Sequence, residues 1–302
     1  MSNPLLSIII PTHNRPHLLP RAVRSALEQT FTDLEVVVVD DASKELVQAA
    51  DLTDDSRLRV IRLDSSHGAS GARNIGVRAA RGRWVMFLDD DDCILPHLAA
   101  VSFDAIAAST LPPPLGVLTA IQKVSAQGEV LKLRIPPTLC PRGGHFFLED
   151  PEPGRSYLTK QTLVVERDVM LQIGGFDEQF RSRVYTELFL RLNPVCTLIG
   201  LPIVTYQLWN HSGARISGTP ELRQKSFHRL IQKHWATFQA HPRQFAVFVY
   251  EHACTSYRQK QYGAALWALA WSVKIHPAHM AARLVREAGW FLGQFRRTVQ
   301  VD

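Results

Sequence analysis

The sequence is poor in cysteine: Cys93, Cys140, Cys196 and Cys254 are its only four, far apart and without a CxxC pair. A zinc ribbon and a disulfide framework are thereby excluded, and a reducing compartment is expected. No uninterrupted apolar run reaches the ~18 residues that span a bilayer. The opening "MSNPLLSIIIPTHN" has a short apolar stretch, no basic flank and no cleavage site, so it reads as a first strand rather than a signal peptide. The expectation is a cytoplasmic protein, with peripheral contact at the inner face of a membrane as its one variant. The net charge is +6, yet no basic block of the kind that marks a nucleic-acid arm occurs. The charge by itself favours an anionic partner such as nucleic acid, a nucleotide-linked substrate or an anionic membrane face, and the excess is spread rather than concentrated in a tail. Basic stripes interleaved with exposed aromatics are also missing, so no nucleic-acid partner is expected. The first strand is followed by "PTHNRP", not by G-x-G-x-x-G, which argues against a dinucleotide oxidoreductase. P-loop, G-x-S-x-G and H-E-x-x-H signatures are absent, and with them those NTPase and hydrolase types. A nucleotidyltransferase would show a Gly- and Arg-rich loop near its start, which is likewise not found.

What is present is an alternation of strand and helix. A mostly β-branched run from Ser7 to Ile10 stops at Pro11, and Leu18, Leu19, Ala22, Val23, Ala26 and Leu27 follow at helical spacing. "LEVVVVDD" is apolar on both faces, as in a parallel sheet. "LRVIRL", the helix "ASGARNIGVRAARG" closed by Gly82, "WVMFL" and the helix "ILPHLAAVSFDAIAAS" continue the pattern; a helix is also expected from "SKELV". A hairpin, "LGVLTAIQKV" and "EVLKLR" joined by "SAQG", follows, then the Gly- and Pro-rich loop "PRGGHFFLEDPEPG". After about Pro220 the chain reads as helix throughout. The predicted fold class is α/β, a doubly wound mixed sheet with helices on both faces, plus a C-terminal all-helical extension. The expected division is residues 1–218, with 1–125 binding the nucleotide and 126–218 facing the acceptor, and 219–302 for the helical extension.

Ligands of such a sheet gather at the carboxyl ends of its strands. Three of the four strand ends in the first half carry unusual polar sequence: "PTHNR", "DDAS" and "DDDD". Four consecutive carboxylates behind "WVMFL" repel one another and call for a cation among them. Adjacent aspartates supply the hard oxygens that suit Mg²⁺ or Mn²⁺, which bind one or two protein carboxylates and take substrate phosphates as further ligands. The expected cation is a divalent metal that holds a diphosphate, with Asp89, Asp90 and Asp91 presenting side chains to different partners, one to a sugar hydroxyl and one to the metal. Asp92 has an alternative reading as the cap of the helix behind it.

The segments "SIIIPTHNR", "LEQTFTDLEVVVVDDAS" and "GASGARNIGVRAARGRWVMFLDDDD", in this order and spacing, closely resemble the nucleotide-sugar domain of family 2 glycosyltransferases, the GT-A fold. The resemblance covers residues 5–125 and, more weakly, 157–217. It implies a metal-dependent, nominally inverting glycosyltransferase of the hexosyltransferase type, using a UDP-linked donor and a hydroxyl acceptor that is a glycan, a lipid-linked sugar or a peptide. It implies nucleotide contacts from Pro11, Thr12, Asn14 and Arg15. It also implies a base contact from Asp41, with Asp40 as the alternative and a helix cap as the other role of the pair. Arg73 is expected on the diphosphate, Asp89 and Asp90 on the donor, and Asp89 and Asp91 as the Asp-x-Asp acids, with Asp91 the principal metal ligand. His211 matches a histidine that returns to the diphosphate or metal, and Ser212 and Arg215 are expected to join it.

The pattern breaks at the catalytic base. "GGFDEQF" and "ELFLRL" match the family, but the positions of its Glu-Asp pair fall on Val184 and Tyr185. Glu187, two residues on, is a displaced candidate; Asp177 and Glu178 are others. A different stereochemical course, or binding of a sugar nucleotide without efficient turnover, are the remaining readings. Tyr185, with an ordinary pKa near ~10, is expected to stack or pack. From Met280 to Val299 an apolar helical side is bordered by Arg283, Arg286, Arg296 and Arg297; it is read as a packing brace, with a homodimer contact or a peripheral membrane contact as alternatives.

Overall fold

A computed structural model describes residues 3–209 and 219–286 of the chain. Two compact units are formed, one from Met1–Phe146 with Pro151–Gly218, the other from Phe147–Asp150 with Thr219–Asp302.

The first unit is a mixed sheet with helices on both faces. Its elements are β1 (Leu6–Thr12), α1 (Leu19–Leu27), β2 (Leu34–Asp40), β3 (Leu58–Arg62), α2 (Gly68–Ala79), β4 (Trp84–Phe87), β5 (Cys93–Ile94), α3 (Leu98–Ala108), β6 (Leu115–Val124), β7 (Val130–Arg134), β8 (Leu139–Cys140), β9 (Val164–Glu166), α4 (Arg167–Gln172), α5 (Val184–Leu192) and β10 (Thr197–Trp209). The strand order is β3-β2-β1-β4-β9-β6-β10-β5, with β7 beside β6 and β8 beside β10. Neighbours among β1 to β4 pair in parallel, as do β6 and β10, while β9 runs antiparallel between β4 and β6. All six parallel strands therefore end at one edge.

Every residue of β1 and β2 is buried, which a strand covered on both faces requires. Alternation sorts their side chains. Ile8, Ile10, Val36 and Val38 share a core with Leu19 and Val23 of α1 and Leu98 of α3. Ile9 and Val39 point the other way, towards α2, where Gly76 lets helix and strand approach: a Cβ there would lie 2.4 Å from Ile9.

Two predicted helices differ. No helix forms at "SKELV"; a single 3-10 turn follows at Ala49–Asp51. The segment is held open because Asp40 Oδ1 accepts the Ser43 N–H at 3.0 Å, Asn14 Oδ1 accepts the Lys44 N–H at 2.7 Å, and Arg62 donates to the Ser43 carbonyl. The helix behind the acidic run starts only at Leu98, since Cys93 and Ile94 are drawn into pairing with Gln207 and Tyr206 of β10. Asp92 is therefore not its cap.

The second unit is helical: α6 (Pro220–Lys233), α7 (Trp235–Ala240), α8 (Pro242–Arg258) and α9 (Tyr262–Ile275), with residues 277–286 also helical. Aromatic rings fill it; Phe227 stacks on His252 at 3.6 Å and on Phe248 at 5.5 Å. Met280 is fully buried with Ala246 and Tyr250, and Leu284 packs on the same cluster. Among the described residues no helix is long and apolar enough to cross a membrane.

Candidate functional site

The four aspartates form a turn behind β4, closed by the Asp92 N–H on the Asp89 carbonyl at 3.1 Å, and burial alternates along it. Asp89 and Asp91 face outward, their side chains 30% and 14% exposed, while Asp90 and Asp92 are buried. The inward pair ties strand ends together. Asp90 Oδ2 accepts from the Thr12 hydroxyl at 2.8 Å, joining the ends of β4 and β1. Asp92 accepts from the Tyr206 hydroxyl and the Trp209 N–H, both at 2.9 Å, joining β4 to β10. Burial, with the neighbouring carboxylates added, pushes Asp92 well above the usual range and Asp90 up to about 6, although Thr12 and Arg15 oppose the shift of Asp90.

Cations stand among the acids. Arg15 reaches Asp90 at 3.0 Å and Asp91 at 3.1 Å, Arg21 donates to the Asp91 carbonyl at 2.6 Å, and Arg73 pairs with Asp89. Arg21 also lies 4.2 Å over the Trp209 ring. Arg73 is itself buried, with the rings of Phe176 and Tyr185 each 5.4 Å from its guanidinium. Burial disfavours its charge, but Tyr185 and Asp89 outweigh that and hold its pKa above the ordinary arginine value.

The loop behind β1 reaches across to β2. Pro11 and Thr12 are buried, and Asn14, in the left-handed region at φ 55°, takes the Ser43 hydroxyl with its N–H at 2.8 Å. Asp40 pairs with Arg62. Asp41 accepts from the Ser66 hydroxyl at 2.7 Å and from the N–H groups of His67 at 2.6 Å and Gly68 at 2.8 Å. These N–H groups open α2, which lacks a cap of its own, so a carboxylate from the next strand end supplies it. A cavity of about 470 Å³ lies beside this loop, lined by Asn14, Leu19, Ser43, Lys44, Gln48 and Leu52 among others.

The second half of the unit reaches the site through the "GGFDE" turn. Asn74 gives and takes a hydrogen bond with the Phe176 backbone, at 2.9 and 2.8 Å, and donates to Glu178 at 2.9 Å. Gly175, at φ 66°, is required: a Cβ there would lie 2.3 Å from the Asn74 oxygen. Asp177 is half-buried, with Oδ1 accepting the Gln179 N–H at 2.9 Å. Glu187 is fully buried, both oxygens held by Arg191 at 2.8 and 2.6 Å, and Arg191 also donates to the carbonyls of Ile173 and Gly175. Helical phase accounts for the split between Tyr185 and Glu187, which lie about 200° apart around α5. Burial raises Tyr185 far above the ordinary phenol value, so it stays neutral. Among the described residues, its hydroxyl and the Nε–H of Arg73 have no hydrogen-bond partner.

The structure thus gathers Thr12, Arg15, Arg73 and Asp89 to Asp92 at one edge, with Asn14 and Asp41 on the adjoining loops, and sets Glu187 in a packing ion pair. His211, Ser212 and Arg215 lie outside the described residues. Tyr206, Trp209, Arg21 and Asn74 are members of the site that sequence reasoning did not name. Asn74 stood beside Arg73 in "GARN", but its partner is 102 positions away.

Asp89, Asp91 and Asp92 each offer a carboxylate oxygen within 4.8 Å of the others. Asp92 is occupied by Tyr206 and Trp209, which leaves the outward pair. Two hard oxygens at a rim lined by guanidinium groups suit a divalent ion that brings an anion with it.

Comparison with known proteins bears on this edge. Residues 7–108 match the family described as Glycosyl transferase family 2. An uncharacterized glycosyltransferase of Haemophilus influenzae is 42% identical over 93 residues, 31% of this chain and 31% of that protein. The Escherichia coli protein named UDP-Glc:alpha-D-GlcNAc-diphosphoundecaprenol beta-1,3-glucosyltransferase WfgD is 38% identical over 93 residues, 30% of this chain and 37% of that one. The matched stretch spans about a third of these relatives' length. A crystal structure of S. aureus TarS in complex with UDP-GlcNAc superposes with a TM-score of 0.64 at 18% identity, covering 93% of this chain and 83% of that one, which speaks for the fold. The segment that carries the acidic edge, residues 7–108, is thus similar to glycosyl transferase family 2, and the sheet is built on the GT-A fold.

Proposed function

We propose that the chain transfers a sugar from a UDP-linked donor to a hydroxyl acceptor, with inversion. The observation that carries this reading is the outward pair Asp89 and Asp91 set among Arg15, Arg21 and Arg73, with the Arg73 Nε–H left unpartnered beside it among the described residues. Asp89 and Asp91, as the Asp-x-Asp acids, would hold Mg²⁺ or Mn²⁺. When bound, that ion supplies a Lewis acid that lowers the charge on a departing diphosphate. The name of WfgD, with UDP-Glc and a diphosphoundecaprenol-linked acceptor, and the UDP-GlcNAc bound to TarS support the UDP donor; the former also supports a lipid-linked acceptor at a membrane face.

The chain's own groups divide the work. Asp41 has lone pairs left beyond its three bonds to α2 and accepts the imide N–H of uracil. Thr12 holds Asp90 in place, while Pro11 and Asn14 shape the loop beside the nucleotide. Arg73 and Arg15 turn from the carboxylates to the diphosphate as its bond to the anomeric carbon breaks. The acceptor oxygen attacks that carbon from the opposite side and loses its proton to a carboxylate. Glu187 is spent on Arg191, so we assign it a positioning role and give proton transfer to Asp177, the half-buried acid next to Phe176, whose ring lies 5.4 Å from the Arg73 guanidinium.

One observation favours a second reading, binding without efficient transfer: a neutral, buried tyrosine occupies the position of the family's usual base. Incubation with a panel of nucleotide sugars and hydroxyl acceptors, with and without Mn²⁺, separates the two. Metal-dependent release of a nucleoside diphosphate from one donor is expected. Thermal stabilisation by UDP with no release under any acceptor would favour binding alone.

A further inference from the structure

Helix α9 presents its surface in an unusual way. Leu269, Val273 and Ile275 pack inward, but three other large residues point out: Tyr262 is 55% exposed, Leu266 68% and Trp267 48%, the last with one side of its ring on His228 and Trp271. Tyr262, Leu266, Ala270 and Lys274 are spaced by four, with Gly263 and Trp267 beside them, so they form one stripe along the helix. The stripe is apolar over its first three turns. Exposed Tyr257, at the end of α8, extends it, its ring 5.6 Å from that of Tyr262. A helix burying this composition would normally turn these residues inward.

Charge indicates what covers the stripe. Exposed Arg258 and Lys260 stand at one end and exposed Lys274 at the other. Between residues 219 and 286 the sequence has ten Lys and Arg against two Asp and Glu, a net +8 that exceeds the +6 of the whole chain. Arg223 feels burial and the nearby Arg258 as like-signed penalties. A second copy of this face would bring cations onto cations. An anionic surface would satisfy them, and one with an apolar layer beneath its charges would also take up Leu266 while tyrosine and tryptophan sit at the boundary, their favoured depth.

We infer that the outer stripe of α9, with Arg258, Lys260 and Lys274, lies in the plane of an anionic bilayer surface and docks the protein there. The apolar side at Met280 and Leu284 is turned into the helical unit, so the surface is α9 and not the start of the following helix.

The test is co-sedimentation of the full chain with vesicles of phosphatidylcholine alone and of phosphatidylcholine with phosphatidylglycerol, beside size-exclusion chromatography. Wild type should pellet with the anionic vesicles only, and release as salt screens the charges. The pair Leu266→Glu with Trp267→Glu, at exposed positions, should lose pelleting while eluting as wild type does. Lys260→Glu with Lys274→Glu should weaken partitioning at least about tenfold. Pelleting that ignores phosphatidylglycerol, or survives the Leu266 and Trp267 changes, overturns the inference. So does a wild-type dimer that those changes dissociate, which would give the face to a second copy. No nucleotide sugar enters the measurement, so failure here leaves donor binding untouched.

Discussion

The two halves of the sheet use their polar residues in opposite ways. From β1 to α3, charged and hydrogen-bonding groups stand at strand ends, where the backbone aims them at one edge: Thr12, Arg15, Asp41 and Asp89 to Asp92. From β8 to β10 they are turned inward. Glu187 and Arg191 brace a turn, and Asn193 donates to three carbonyls, those of Cys140, Pro141 and Cys196. On the proposed function the first half would bind while the second half holds. Donor recognition would then follow from strand order, and acceptor chemistry from the phase of one helix and the shape of one turn.

Changes at Arg73 should cut deepest. Arg73→Ala removes the guanidinium that is buried at the edge and paired to Asp89; donor turnover should fall by roughly 100-fold or more, and Arg73→Lys should rescue little, because a point charge does not replace a stacked fork. Turnover within a factor of a few of wild type would show that the edge does not bind the diphosphate.

A second change probes the inward half. Glu187→Gln takes the counter-charge from half-buried Arg191 and should cost about 2 kcal/mol in urea unfolding. Turnover per folded molecule should stay near wild type. A large loss of turnover with stability intact would return Glu187 to the role of base and erase the contrast between the halves.

Asn74→Ala cuts the link between them. Three hydrogen bonds to the turn are lost, and stability should drop by about 2 kcal/mol. Tyr185→Phe should do less: its hydroxyl has no partner among the described residues, so removal should be neutral or slightly stabilising. Abolished transfer in that variant would mean the hydroxyl meets substrate.

The smallest effect is expected from Arg62→Gln. Burial pushes the Asp40 carboxyl up, but hydrogen bonds from Ser43 and Arg62 outweigh it and hold the group below its usual range. Stability from this group is present above the unfolded pKa near ~3.9 and fades as pH falls through the lower folded value. Wild type and variant should therefore differ by under about 1 kcal/mol at neutral pH and converge in acid. A gap that widened in acid would reverse the sign.

Much of the donor half was legible because continuous apolar runs locate the strands and so the sheet edge, and "DDAS" and "DDDD" announce themselves at it. That neighbouring acids would meet different partners was legible too, but which acids turn inward was not: Asp92 goes in because Tyr206 and Trp209, more than a hundred residues later, receive it. The helix expected at "SKELV" failed for a similar reason, since Asn14 and Asp40 take its first N–H groups. Local composition carries no trace of such partners. The burial of Glu187 was half legible: spacing put it on the far side of α5 from Tyr185, but only the contact with Arg191 shows what that far side does.

The central claim is that Asp89 and Asp91 hold an ion that anchors a nucleoside diphosphate. Calorimetric titration of UDP into wild type and Asp91→Asn, each with Mn²⁺ and with chelator, tests it most directly. Wild type should bind at least about tenfold more tightly with Mn²⁺ than in chelator, and Asp91→Asn should be weak under both conditions. Equal affinity in all four titrations, or Mn²⁺-dependent binding untouched by Asp91→Asn, would contradict it.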